Sequence, residues 1–221
     1  WGQDLQVAHR DLMQERLAVS QAPLLRETTS HLTRLRQILS SIDPEALAPP
    51  GGIGTHAFRR LSRLIDTPDE LARARGEIDA LLRLLTPAQT GLMTLRDQLQ
   101  RHATALQTME AQVEAQALAA GWLTQNAAPE HCRSFADRRN SLAATLLQIR
   151  SATLQLTNDI VMPSRLILAV QTIALVALPA WLDRLSHLQN RLSQGRTPTP
   201  TEARELAFRL NDLLPLFPRT E

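Results

Sequence analysis

IVMPSRLILAVQTIALVALPAWLDRLSHL, running from Ile160 to Leu188, is the stretch on which the fold turns. Its apolar residues fall into two columns at helical spacing. One is Ile167, Val170, Ala174, Ala177 and Trp181; the other is Leu168, Leu175, Leu178, Leu182 and Leu185. A helix apolar on two faces is read as buried between several partners. A membrane span needs about 20 apolar residues; here Arg165 and Asp183 bracket a shorter run that also holds Gln171, Thr172 and Pro179. The stretch therefore reads as a core helix over about residues 164–193. Pro179 is expected to kink it, because a proline removes one backbone bond. Trp181 is expected to bury its ring while its indole N–H finds an acceptor.

Working outward, apolar residues recur at steps of three and four on both sides. Leu25, Leu32, Leu35, Leu39 and Ile42 form one seam, and Leu71, Ala74, Ile78, Leu81 and Leu85 a second. Leu92, Leu95, Leu99, Leu106, Met109 and Val113 form a third, with His102 inside it. Leu142, Leu146, Ile149, Leu156 and Ile160 form a fourth, with Thr153 inside it. Such stripes pack helices side by side as in coiled coils. Three segments share a helix-start design: Thr67-Pro68-Asp69-Glu70, Thr86-Pro87-Ala88-Gln89 and Thr199-Pro200-Thr201-Glu202. Thr caps, Pro fits the first helical position, and Glu or Gln closes a capping box.

These signals predict an all-α, elongated antiparallel bundle forming a single domain over residues 1–221. Helices are expected over about 3–21, continuing or restarting at Pro23 to about 41, then 55–65, 68–85, 87–120, 130–161, 164–193 and 200–214. A Pro/Gly loop from Asp43 to Gly54, a turn from Gly121 to Pro129, a break or kink at Pro163 and a stop at Gly195 divide them. A chain that begins at Trp1 reads as a piece of a longer one, with no targeting segment in view.

Composition narrows the chemistry. All basic residues are arginine, and tyrosine is also absent. Arginine forks grip oxyanions, but the paired absence of Lys and Tyr fits a GC-rich coding sequence. A net charge of +2 with interspersed acids is no nucleic-acid stripe. The lack of lysine excludes a P-loop lysine and Schiff-base chemistry. Gly51-Gly52-Ile53-Gly54 lacks the rest of a nucleotide fingerprint. No zinc-spaced cysteine pair, His-Glu-x-x-His or repeated Glu-x-x-His occurs. The expectation is a protein without catalytic residues, metal or cofactor.

Weaker candidates remain. Glu27/His31 and Asp183/His187 each place two metal-type ligands four residues apart, a spacing also common to solvated surface pairs. Cys132, the single cysteine, lies between His131 and Arg133 near a helix start, where a thiolate can be favoured. It excludes an internal disulfide and fits a reducing cytosol. Arg59, Arg60, Arg63, Arg73 and Arg75 gather near the Pro68 helix start, a candidate oxyanion site opposed by Asp66, Asp69 and Glu70.

Gln171, Pro179 and Trp181 carry one further signal. With the Leu39–Pro44 segment and the order of loop, shorter helices and long helices, they resemble the toxic-anion or tellurite-resistance (TelA-like) family over about residues 15–190. The resemblance implies a cytoplasmic helical protein associated with resistance to tellurite or other envelope stress, and no catalytic residues. The expected function is a non-enzymatic scaffold that docks a protein partner through a helix face. The alternatives are a coiled coil at an anionic membrane surface and an anion-sequestering or thiol redox protein.

Overall fold

The computed structural model describes residues 3–20, 22–47, 65, 67–194, 196 and 199–218. It is an all-α helical bundle: α1 (Gln3–Ser20), α2 (Pro23–Ser41), α3 (Pro68–Asn126), α4 (Pro129–Ala169), a π segment (Val170–Ala177), α5 (Leu178–Ser193) and α6 (Pro200–Leu213). No strand occurs among the described residues; Ile42 and Ile65 form a lone parallel bridge. The expected helix over 55–65 lies outside the described residues except for Ile65, which is bridged rather than helical.

The chain divides into two compact units. The second, Leu24–Leu92 with Arg165–Glu221, holds a continuous apolar core. The seams of α2 and early α3 supply Leu32, Leu35, Leu39, Leu71, Ile78 and Leu85. The α5 side supplies Leu178, Trp181, Leu182 and Leu185, and α6 supplies Leu206, Leu210 and Leu213. α2 and α3 run antiparallel: Arg34 Nε donates to Glu77 Oε1 at 2.6 Å, and Leu24 reaches Gly91. A Cβ on Gly91 would lie 2.8 Å from Leu24 Cδ2, a contact that a shift of the Leu24 side-chain end would relieve. α5 and α6 are also antiparallel, because residues 181, 184 and 191 meet 206, 205 and 202 in turn.

The first unit, Trp1–Pro23 with Met93–Ser164, has three helical parts. A two-residue turn, Ala127-Ala128, reverses α3 into α4. Their antiparallel register follows from Arg150 Nε donating to Glu110 Oε1 at 2.7 Å and from Arg139 Cδ lying 3.6 Å from a Cβ built on Gly121. α1 instead runs parallel to α4. Gln6 Nε2 donates to Ser141 and Thr145, and Arg16 donates to the Ala152 carbonyl and Gln155. Among its described residues α1 contributes none that is fully buried, whereas α3 and α4 bury Leu99, Leu106, Val113, Leu142, Ile149 and Leu156. The third and fourth seams thus face inward, with Leu146, Thr153 and Ile160 half-buried.

The helix boundary expected at Pro87 is absent, and of the break or kink expected at Pro163 the break is absent. Thr86-Pro87 lies inside α3, with Pro87 an interior residue. Thr86 Oγ1 donates back to the Leu82 carbonyl at 2.9 Å instead of capping. Leu85 and Leu92, one heptad apart, are both fully buried, so the apolar period carries the helix across the proline. Pro87 and Arg83 are exposed, so water can serve the carbonyl left without its donor. Pro163 likewise sits inside α4. It occupies the buried column Leu142, Ile149, Leu156, Pro163, and burial there favours continuation. The turn expected from Gly121 shrinks to two residues because α3 continues to Asn126. Thr199 caps as the sequence predicts: its Oγ1 accepts from Glu202 N, and its N–H donates to Glu202 Oε2 at 2.9 Å.

The Ile160–Leu188 stretch is buried only in part. The first column is inward, but Leu168 is 65% and Leu175 41% exposed while Leu182 is 6% exposed. Seven residues of α-helix return to nearly the same face, within about 20°. The π segment breaks that count by admitting one extra residue, a rotation of about 100°. Its closing bond is Leu178 N–H to Ile173 O, five residues back. Pro179 follows directly, and a wider turn relieves the clash between its ring and the preceding turn. Leu178 and Leu182 thereby reach the core, while Leu168, Leu175 and Val176 do not.

Candidate functional site

Two surfaces emerge once the sequence candidates are placed. Trp181 is buried and its Nε1 donates to the Leu206 carbonyl at 3.1 Å, pinning α5 to α6. Gln171 and Pro179 are exposed on the π segment and at the start of α5. Gln171, Pro179 and Trp181 therefore lie within and just after the helix irregularity instead of converging on one pocket.

The arginine cluster is only partly placed. Arg59, Arg60 and Arg63 lie outside the described residues. Arg73 is exposed. Arg75 is committed to structure: its Nη1 donates to Ser186 Oγ at 2.5 Å and to Gln189 Oε1 at 3.3 Å, joining α3 to α5. Cys132 stands in the first turn of α4, and its Sγ donates to the Ala127 and Ala128 carbonyls at 3.5 Å. Those partners are oxygens, not cations. Asp183 and His187 form an exposed pair at 3.7 Å. Glu27 is exposed and His31 half-buried on α2. Among the described residues no three metal-type ligands gather.

The first surface is an apolar column on α4. Leu147 and Leu154 are 68% and 71% exposed, one heptad apart in the first unit, and Val161 and Met162 are exposed further along. In the second unit, Leu168 and Leu175 are exposed as well. Leu147 stands five residues after buried Leu142, which sets the two columns about 140° apart on the helix. Sequence reading passed over Leu147 and Leu154 because the stronger neighbouring seam absorbed the apolar pattern. The signal was their own spacing of seven. The helical run Pro129–Arg191 also contains a segment long and apolar enough to cross a membrane, with mean hydropathy 1.9, and 39% of that window is buried.

The second surface lies between α5 and α6 in the second unit. Arg184, His187, Leu188 and Arg191 face Glu202, Glu205, Leu206 and Arg209 across a cleft. Glu205 Oε1 accepts from Arg184 Nη1 at 2.9 Å and from Arg209 Nε and Nη2 at 3.1 and 3.0 Å. Glu202 accepts from Arg191 on Oε1 and from Thr199 on Oε2. Its carboxyl is held below the usual range, first by the Thr199 backbone and hydroxyl bonds and then by Arg191. The sequence did not single out this cluster, because Arg184 and Arg209 are 25 residues apart and meet only when the helices fold back.

Comparison of the chain with protein-family models, with curated proteins and with solved structures finds no match.

Proposed function

We propose that this chain is a non-enzymatic helical scaffold that docks a protein partner through the outward apolar column of α4. The supporting observation is the exposure of Leu147 and Leu154 on a helix whose opposite column is already buried. Heptad-spaced leucines on a rigid helix are what an amphipathic partner helix packs against. The partner is a protein helix with a matching apolar stripe. The biological setting is resistance to toxic oxyanions or envelope stress, a proposal supported by the TelA-like pattern at Gln171, Pro179 and Trp181 alone.

A photo-crosslinker placed at Ser151, exposed between the two leucines, tests the docking reading in host cells. The expected result is one dominant adduct that disappears in the Leu147→Gln/Leu154→Gln chain. An unchanged adduct pattern, or none, would overturn it. A second reading, attachment to an anionic membrane surface, is favoured by the partly unburied apolar window and by the exposed Arg165 in the same helix. Sedimentation with phosphatidylglycerol vesicles decides that reading: binding that salt abolishes supports it, and chain left in the supernatant rejects it.

A further inference from the structure

The part of α4 that belongs to the first unit is nearly free of charge. From Asn140 to Ser164, two of 25 residues are charged, Arg150 and Asp159, against 21% in the whole chain. Both are engaged within the unit, Arg150 by Glu110 and Glu114 and Asp159 by Arg16. Loss of charge marks the centre of a protein interface. It also bears on what the partner is. A foreign helix is selected by complementary charges beside the apolar seam. Here the positions beside the leucines are Ser141, Ala143, Gln148, Gln155 and Thr157, with Arg150 already paired. Nothing in that set selects a foreign charge pattern, and an uncharged strip can meet its own copy without repulsion.

The strip also matches itself in shape. Asn140, Ala144, Leu147, Ser151, Leu154 and Asn158 are all exposed and follow one another at steps of four and three. α1 attaches on one flank, at Ser141, Thr145 and Gln155, and α3 on the other, at Arg150. Laid parallel, two such strips stack leucine on leucine and serine on serine. Laid antiparallel, Leu147 of one copy lies over Ser151 of the other, Leu154 over Ala144, and Asn140 over Asn158. Large side chains then fill the space left by small ones. The Asn amides can hydrogen-bond across the pair, and a polar residue at such a position fixes register. Each contact occurs twice, as two-fold pairing requires. The two Arg150 side chains approach on one flank, each beside two carboxylates that outweigh its charge. The strip is about 27 Å long, a contact at the weak end of specific interfaces.

We infer that two copies of this chain pair antiparallel through the α4 strip, with Leu147 and Leu154 of each seated over Ser151 and Ala144 of the other. The inference rests on the docking reading and names its partner as a second copy.

The test is sedimentation equilibrium of the full chain over about a hundredfold range of concentration. A monomer–dimer equilibrium is expected. Ser151→Arg, which sets like charges in the contact, is expected to weaken it about tenfold or more while leaving the circular dichroism unchanged. Phe208→Gln, at an exposed ring in the second unit, is expected to leave the dimer as it is. Register is read in the Cys132→Ser chain under mild oxidation. A mixture of the Asn140→Cys and Asn158→Cys chains is expected to form the mixed disulfide, and neither chain alone a disulfide with itself. A monomer at every concentration would overturn the inference. So would like chains joining as readily as unlike ones, or Phe208→Gln weakening the dimer as much as Ser151→Arg. A monomeric chain whose Ser151 crosslinker still captures a different protein in host cells would end the self-pairing and leave the docking reading standing.

Discussion

The two units solve the same packing problem with different materials. In the second, Leu35, Leu39, Ile78, Leu85, Val170, Trp181 and Leu185 meet in one apolar core. Thr28 is the buried group there whose hydroxyl lacks a partner among the described residues. In the first, His9, His102, Gln116 and Arg138 all hold buried polar atoms without a partner among the described residues. There α1 is attached by bonds from Gln6, Arg16 and Arg138 and by no fully buried apolar side chain. Unpartnered buried polar atoms subtract from stability, whereas apolar burial adds to it. The lesson is that heptad spacing fixes which helices pair, while the residues within the seam set how firmly they hold.

The comparison breaks or sharpens under substitution. Trp181→Ala is expected to cost about 3–5 kcal/mol, and Leu106→Ala in the first unit about 2–5 kcal/mol, toward the low end because its unit also buries unpartnered polar atoms. Urea unfolding followed by circular dichroism measures both; a larger loss from Leu106→Ala would reverse the ranking. Thr28→Val removes the unpartnered hydroxyl at nearly constant shape and is expected to gain about 1 kcal/mol. A loss of similar size would mean that the hydroxyl has a partner after all.

The first unit should also respond to acid. Burial pushes the His9 imidazole below its ordinary value of 6.5. The unfolded chain then takes up the proton more readily than the folded one. The stability tied to neutral His9 is complete above that ordinary value and is lost as pH falls from there through the lowered one. Protection factors across α1, which correct for the slower intrinsic exchange at lower pH, should therefore fall between about pH 7.5 and 5.5, and His9→Gln should flatten the change. Protection of α1 that rises on acidification would contradict the assignment.

The smallest effects separate two identical motifs. Thr199→Ala is expected to cost about 1 kcal/mol, because it removes a helix cap. Thr86→Ala should stay within about 0.5 kcal/mol, since mid-helix Ala is the better helix former. Thermal melts resolve the pair, and equal losses would mean that α3 is broken at Pro87.

That pair also shows what the sequence could reveal. The all-α class and the four seams were legible, because apolar period survives folding intact. Capping chemistry was not decisive. Thr86-Pro87 and Thr199-Pro200 look alike locally, yet Leu85 and Leu92 bury on both sides of the former, while the latter follows the end of α5. A proline in a helix interior costs about 3 kcal/mol, less than the burial of two leucines can return. Leu175 was expected inside because a heptad count presumes uninterrupted α-helix, and nothing in Val170–Ala177 announces a π turn except Pro179 just beyond it. The buried ring of Trp181 and its need for an indole acceptor were legible as side-chain chemistry, though not as a site. The arginine cleft depends on a tertiary meeting of helices that no local pattern encodes.

The central claim is that α4 carries two apolar columns and that its own unit covers just one of them. Urea unfolding of the Leu147→Gln/Leu154→Gln chain, beside Ile149→Ala, tests it most directly. The account predicts a change within about 0.5 kcal/mol for the double substitution, as for other surface positions, and a loss of about 2–5 kcal/mol for Ile149→Ala. A loss of several kcal/mol from the double substitution would place Leu147 and Leu154 inside the fold and contradict the claim.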